Sequence, residues 1–448
     1  MKTNVECNAK SVEKMLNYFF KYLKYLKYWR QIFSYLTTIP DSNEFDQKVS
    51  DLVRRTERLA IAFQAVRRGL NQTNIPTVNE FGYRRLNLLD WIIAITSVAT
   101  IFRYTVLIFN TNETIAIYLG DSFFHSEDRA LILSLFAIST SLAFAFREWI
   151  LHLEAKGKFE VLSIWKDNRD GFNLVNLRMN NRNIKRFRFC IYFLSVMIYY
   201  MMLLIPIFMS FLFFTPLLIN PWTYKIPALA FFATGWLLLA IFVGAFLFNS
   251  ILGFAWLFLS VLAFHLFRLF DLLDSAETLL NRSMFYTEKD FQLFCLLIIS
   301  RLNSFELASR KLRYIFSCYV FVYSLLGDVA IFLGLIVRAY NDFFADLLAI
   351  LGLFTLGFLG IFGFVFGYLI TELDRLTIRL HRLTFKGKFS VKTMSKVMEI
   401  MDRVAGPYNG LKIGDFFTLE KRFFILFIME NLSILMLFTV NIGPMSVT

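Results

Sequence analysis

The chain of 448 residues is 57% hydrophobic and 18% aromatic, with 54 Phe, and its mean hydropathy is +0.55. Soluble domains run nearer half apolar, so this composition excludes a soluble fold and points to an all-α polytopic membrane protein. The formal charge of +13 reads first as membrane topology and lipid contact, and no nucleic-acid partner is expected.

Residues 1–87 form an expected cytosolic arm. Its opening, MKTNVECNAKSVEKMLNYFF, has no clean apolar core followed by a cleavage site and reads as mature sequence. Further on, Tyr22, Tyr25, Tyr28 and Trp29 interleave with Lys21, Lys24, Lys27 and Arg30. Rings alternating with basic heads suit the headgroup layer, as an interfacial helix that braces the bundle or, alternatively, as a regulatory lipid site.

Seven stretches can then cross a bilayer, each long enough as a helix for a hydrocarbon core of about 30 Å. They are 88–109, 130–146, 189–214, 238–264, 315–337, 344–370 and 423–442. The fourth lies within an apolar run from 227 to 270 that has no polar turn. It reads as one long helix, with 227–236 packed at the outer surface, although a division into two spans would invert everything after it. The first six spans make an expected bundle over 88–370, with cytosolic helix extensions at 266–312. An anchor region follows at 371–421, and a last span with a short outside tail at 422–448.

Basic residues orient this scheme. The arm and the loops after the second, fourth and sixth spans hold 43 of the 47 Lys and Arg. The other loops and the tail hold 2, Lys225 and Arg338. This asymmetry places the N-terminus in the cytosol and the C-terminus outside. The triplet Asn112-Glu113-Thr114 falls in the first outside loop as a glycosylation acceptor, whereas Asn71-Gln72-Thr73 matches equally well on the cytosolic side.

Catalytic signatures are missing from the sequence: no His-Glu zinc motif, no Gly-rich phosphate loop and no Ser-centred elbow. The histidines His125, His152, His265 and His381 are scattered, and the four cysteines show no paired spacing. The expectation is a protein with no enzymatic activity, metal, cofactor or disulfide framework. A G-protein-coupled receptor also has seven spans, but it holds its N-terminus outside and carries basic loops after the first, third and fifth spans. The charge pattern here is the reverse.

The inverted topology, the length and the stretch GLKIGDFFTLEKRFFILFIMENLSILMLFTVN resemble the arthropod gustatory receptor family, related to insect odorant receptors. In that family a cytosolic helix ends in a Gly- and aromatic-rich turn before the last span. That span carries Thr-Tyr, five apolar residues, then Gln-Phe. Aligning the turns at DFFTLEKR sets Ser433 on the Thr position, Ile434 on the Tyr, Val440 on the Gln and Asn441 on the Phe. The resemblance implies a multi-pass plasma-membrane protein, a ligand-gated cation channel opened by a small-molecule tastant. It further implies a homotetramer, or a heteromer with related subunits, whose last spans line a central pore.

On this reading Glu430, Ser433, Leu437, Val440 and Asn441 line the pore, since three- and four-residue steps share a helix face. Four copies would make an acidic ring at Glu430 and an apolar constriction near Leu437. The alternative is that Glu430 packs inward. Two further charges lie within spans, Arg103 and Asp328. They are expected either to pair and lock the bundle or to line the ligand pocket, with Tyr199, Tyr200, Trp236 and Tyr323 as aromatic walls. The substituted Gln and Tyr positions motivate a second overall reading, a non-conducting structural or regulatory protein of the same descent.

Overall fold

A computed structural model of the chain describes residues 43–70, 88–159, 161, 177–281, 287–386, 389–405, 411–415, 417–419 and 421–441. The interleaved aromatic and basic stretch at 21–30, the Asn71 acceptor and the tail after residue 441 lie outside the described residues. The helices in chain order are α1 (Asn43–Ala62), α2 (Leu88–Phe109), α3 (Glu113–Tyr118), α4 (Arg129–Ala155), α5 (Asn181–Ile219), α6 (Pro221–Lys225), α7 (Pro227–Asn281), α8 (Glu288–Ile331), α9 (Asp342–Lys386), α10 (Val391–Ala405) and α11 (Lys421–Asn441). A two-strand hairpin, β1 (Lys412–Ile413) with β2 (Phe417–Thr418), precedes α11. We call the end bearing α1 and α10 basal, and the end bearing α3 and α6 apical.

Helices α2, α4, α5, α7, α8 and α9 are long and apolar enough to cross a membrane, and α11 adds the apolar stretch Ile425–Val440. The long apolar run is one continuous helix. Its 55 residues span about 80 Å at 1.5 Å per residue, far more than a bilayer core. The first turns of α7 pack on α3: Leu229 and Ala233 are buried, and a Cβ on Gly120 would come within 2.5 Å of the Ala233 backbone nitrogen. The most apolar window of α7 is 61% buried, against about a third for α2 and α4. An apolar helix without a polar face belongs at the centre of a bundle, and α7 lies there, along α5.

The basal extensions are joined by buried charge. Asp90 in the first turn of α2 accepts from Arg147 of α4 at 2.9 Å and from Arg67 at 2.5 Å. Glu154 of α4 accepts the backbone N–H groups of Arg67 and Arg68 at 2.8 and 3.0 Å, which pins the segment after α1 beneath the bundle. The terminal hairpin docks on α8, where Gly414 N donates to the Arg313 carbonyl at 3.1 Å and Arg313 pairs with Asp415 at 2.5 Å. That docking fixes where α11 begins.

At the apical end α8 and α9 approach at backbone distance. Without a hydrophobic effect between helices in lipid, small residues that admit close contact drive association. A Cβ on Gly352 would lie 2.7 Å from the Gly327 carbonyl oxygen and 2.9 Å from the Ile331 nitrogen. Beyond it, α8 widens into a π-helical turn, Phe332–Val337, that ends on Arg338 in the left-handed region (φ 53°). Gly352→Ala is expected to destabilise by about 1–3 kcal/mol, because the clash is with backbone that cannot rotate away. Thermal unfolding of the purified variant in detergent checks this, and an unchanged melting temperature would contradict the close crossing.

Candidate functional site

Two features stand out within this frame, a divided cavity inside the bundle and the unpartnered face of the last helix.

The cavity has two chambers. The larger, about 310 Å³, lies between α5, α7, α8 and α9. The smaller, about 70 Å³, reaches up to α2 and α4. They share Met209, Phe248, Tyr323, Leu351 and Thr355 in their walls. Space exists because α7 presents Ala240 and Gly244, one turn apart, where most of its sequence is bulky. The walls are chiefly aliphatic and aromatic. Polarity comes from a few hydroxyls: Thr100, Tyr104, Ser139 and Thr140 in the smaller chamber, Tyr319 in the larger, and Tyr323 and Thr355 in both. Tyr319 and Tyr323 are a tilted ring pair with centroids 4.6 Å apart. The larger chamber opens between α5 and α9, where Leu204, Ile350 and Phe354 are exposed. Apolar walls with a few orienting hydroxyls suit a small, mostly apolar ligand.

Of the six residues expected to line a pocket, the structure brings only Tyr323 to the cavity. Arg103 and Asp328 form no pair. The buried Arg103 guanidinium instead donates from Nε to the Leu119 carbonyl at 2.7 Å and from Nη2 to the Gly120 carbonyl at 2.6 Å. These carbonyls close the C-terminal end of α3, where helix carbonyls carry partial negative charge and attract cations. Trp236 lies near Arg103, with the guanidinium 5.5 Å from the ring centroid. The two make an apical clamp and line neither chamber. Tyr199 and Tyr200 touch each other, and Tyr200 is exposed on the outer side of α5. Asp328 is fully buried, and among the described residues neither of its carboxylate oxygens has a hydrogen-bond partner.

Helix α11 rests on α8, α9 and the π-helical turn through one narrow face. Phe427 and Asn431 are buried, and Phe438 packs on Phe332 with centroids 5.5 Å apart. The Ser324 hydroxyl of α8 donates to Asn431 Oδ1 at 2.7 Å, and Asn431 Nδ2 donates to the Phe427 carbonyl at 2.5 Å. Neighbours on a helix point about 100° apart, so Glu430 looks away and is exposed. Ser433, Leu437 and Val440 share its side and are exposed too, Leu437 at 59% and Val440 at 72%. The Ser433 hydroxyl donates to the Met429 carbonyl at 2.8 Å. The Asn441 side chain lies outside the described residues. The expected stripe is therefore one unpartnered face and is not folded into the chain's own bundle.

At the apical rim Asn112 is exposed. Its Oδ1 accepts from the Thr114 backbone N–H at 3.0 Å and from the Thr114 hydroxyl at 2.7 Å.

No family model matches the chain, and no curated protein matches its sequence. Solved structures do match. Their class is defined by fold: the chain is built on the same all-helical architecture as an insect olfactory receptor. The matching structures include OR5 from Machilis hrabei in complex with eugenol, at a TM-score of 0.57 and 13% identity over 89% of this chain and 98% of that chain. A second structure of that receptor matches at a TM-score of 0.57 and 12% identity, with the same coverage.

Proposed function

We propose that this chain is a subunit of a ligand-gated, non-selective cation channel of the insect chemoreceptor type, and specifically of the gustatory branch. The observation that carries the reading is the exposed stripe Glu430, Ser433, Leu437, Val440 on the last helix of a chemoreceptor fold. A lipid-facing carboxylate at this depth costs about 2.5–3.5 kcal/mol or more. Four copies around an axis would bring Glu430 into a water-filled path instead, with Leu437 as an apolar constriction above it. Homotetramers, or heteromers with related subunits, both satisfy this geometry.

The positive-inside asymmetry supports a cytosolic basal end and an extracellular apical end in the plasma membrane. In this orientation 88–370 is the ligand-binding bundle, with 266–312 as its cytosolic extensions. Residues 1–87 are a cytosolic arm whose aromatic and basic stretch meets lipid headgroups, 371–421 are a cytosolic anchor region, and Asn112 is a glycan acceptor. The ligand is a small, mostly apolar tastant held in the divided cavity, with the Tyr323 and Thr140 hydroxyls orienting it.

Whole-cell current from cells expressing the chain tests the reading. A panel of small apolar tastants is expected to evoke a cation current in wild type. Thr355→Phe adds a ring to the wall shared by both chambers. It is expected to raise the half-maximal ligand concentration roughly tenfold or more, with surface expression unchanged. Silence from a surface-expressed wild type, together with a purified particle lacking a central fourfold pore, would favour a non-conducting protein.

A further inference from the structure

The larger chamber opens sideways. Its mouth lies between α5 and α9, where Leu204, Ile350 and Phe354 are exposed. Leu204 is ten residues from the apical end of its apolar stretch at 214, and Phe354 is ten residues from the apical end of its own at 344. At 1.5 Å per residue both sit about 15 Å in, half of a hydrocarbon core of about 30 Å. The mouth is therefore at mid-membrane, and it stays there whichever end of the bundle faces the cytosol. A lipid-facing opening at that depth meets no water and chiefly the ends of acyl chains.

The chamber behind the mouth suits the same material. Ile251 and Leu252 of α7 line it, and Met209, Phe248 and Tyr323 stand where it meets the smaller chamber. The lining side chains that carry oxygen are Tyr319, Tyr323 and Thr355, and the Thr355 hydroxyl already donates to the Leu351 carbonyl at 2.8 Å. The hydroxyls of Thr100, Ser139 and Thr140 belong to the smaller chamber. An apolar cavity offers water too few partners, stays dry and takes up apolar solutes. Left empty, about 310 Å³ would deprive its lining of packing contacts. Hydrocarbon entering from the mouth restores those contacts without desolvating a polar group.

We infer that the gap between α5 and α9 is a lateral portal through which the bilayer fills the larger chamber, with the end of one phospholipid acyl chain resting against Ile251, Leu252 and Tyr323. Occupancy by the chain does not depend on conduction. That an apolar tastant enters by the same gap and displaces the chain rests on the function proposed above.

The test is photolabelling of the full-length protein in phosphatidylcholine vesicles. One preparation carries a diazirine at the end of the acyl chain and a second carries it beside the ester, and peptide mass spectrometry locates the adducts. The chain-end probe is expected to label Ile251, Leu252 or Tyr323, which are buried, as well as the exposed Phe102 of α2. The ester-side probe is expected to miss the three buried residues, because about 15 Å of hydrocarbon separates the ester level from the mouth. Leu204→Trp puts an indole across the mouth and is expected to abolish the interior adducts while Phe102 stays labelled. Ile350→Trp changes another exposed residue of the mouth and must do the same if the first variant cannot be purified. An unlabelled interior beside a labelled Phe102 would overturn the portal, and it is also the result if a neighbouring subunit covers the mouth. Equal interior labelling by the two probes, or labelling that survives the tryptophans, would overturn it too. These outcomes leave the channel reading standing, since that is measured by current, and a silent protein with a labelled interior keeps the portal and loses the channel.

Discussion

Arg301→Ala is expected to destabilise the basal half of the protein by about 3–5 kcal/mol, the cost of breaking a buried pair by removing one partner. Arg301 is 3% exposed and ties together three chain segments. Its Nη1 donates to the Arg268 carbonyl at 2.7 Å, and its Nη2 donates to the Arg178 carbonyl and to Asp271 Oδ2, each at 2.7 Å. Asp271 in turn accepts the Asn180 backbone N–H at 2.8 Å, at the point where α5 begins. One guanidinium thus fixes the start of α5 to α7 and α8. Without it, two carbonyls lose their donor and Asp271 stays buried without its cation. Arg301→Lys is not expected to rescue, because a single ammonium cannot present the planar fork that reaches three separated acceptors. Unfolding in detergent reads the loss. Hydrogen exchange should localise it to 177–188, and uniform exchange across the chain would refute the junction.

On the proposed channel reading, Glu430→Gln is expected to lower cation over anion permeability by about tenfold. This is the low end of the local enrichment that a charged, low-dielectric passage gives its counter-ions. The amide keeps the size of the side chain and removes the negative charge, and Glu430 is exposed, so folding should be little affected. Leu437→Ala acts differently. It would widen the proposed apolar constriction and is expected to leak without ligand, since dewetting depends on bore and apolarity. Reversal potentials under asymmetric salt distinguish the two. Unchanged selectivity in Glu430→Gln would take Glu430 out of the conduction path.

The positions of the crossing helices were legible in the sequence because the cost of placing a residue in hydrocarbon adds up along a segment. The first span matches α2 from Leu88 to Phe109. The undivided run from residue 227 was readable as one helix because no polar turn interrupts it. That Glu430, Ser433 and Leu437 share one line of α11 was readable too, since helical period alone sets it, but the direction this line faces was not.

Partners across helices were not readable. Intramembrane charge suggested that Arg103 and Asp328 meet, but the C-terminal carbonyls of α3 reach Arg103 at closer range. A short helix folding back over its neighbour leaves no mark in hydropathy. The cavity was hidden for a related reason. Aromatics are everywhere in this chain, so prominent rings such as Tyr200 drew attention. What makes the space is the small pair Ala240 and Gly244 facing Met209. Likewise, nothing in the adjacent Glu430 and Asn431 said which would turn to Ser324 and which would turn away. Sequence fixes the period and depth of each helix. The rotation of one helix against the next depends on contacts between residues far apart in the chain, and those contacts decide where the cavity opens and which of two adjacent polar side chains turns inward.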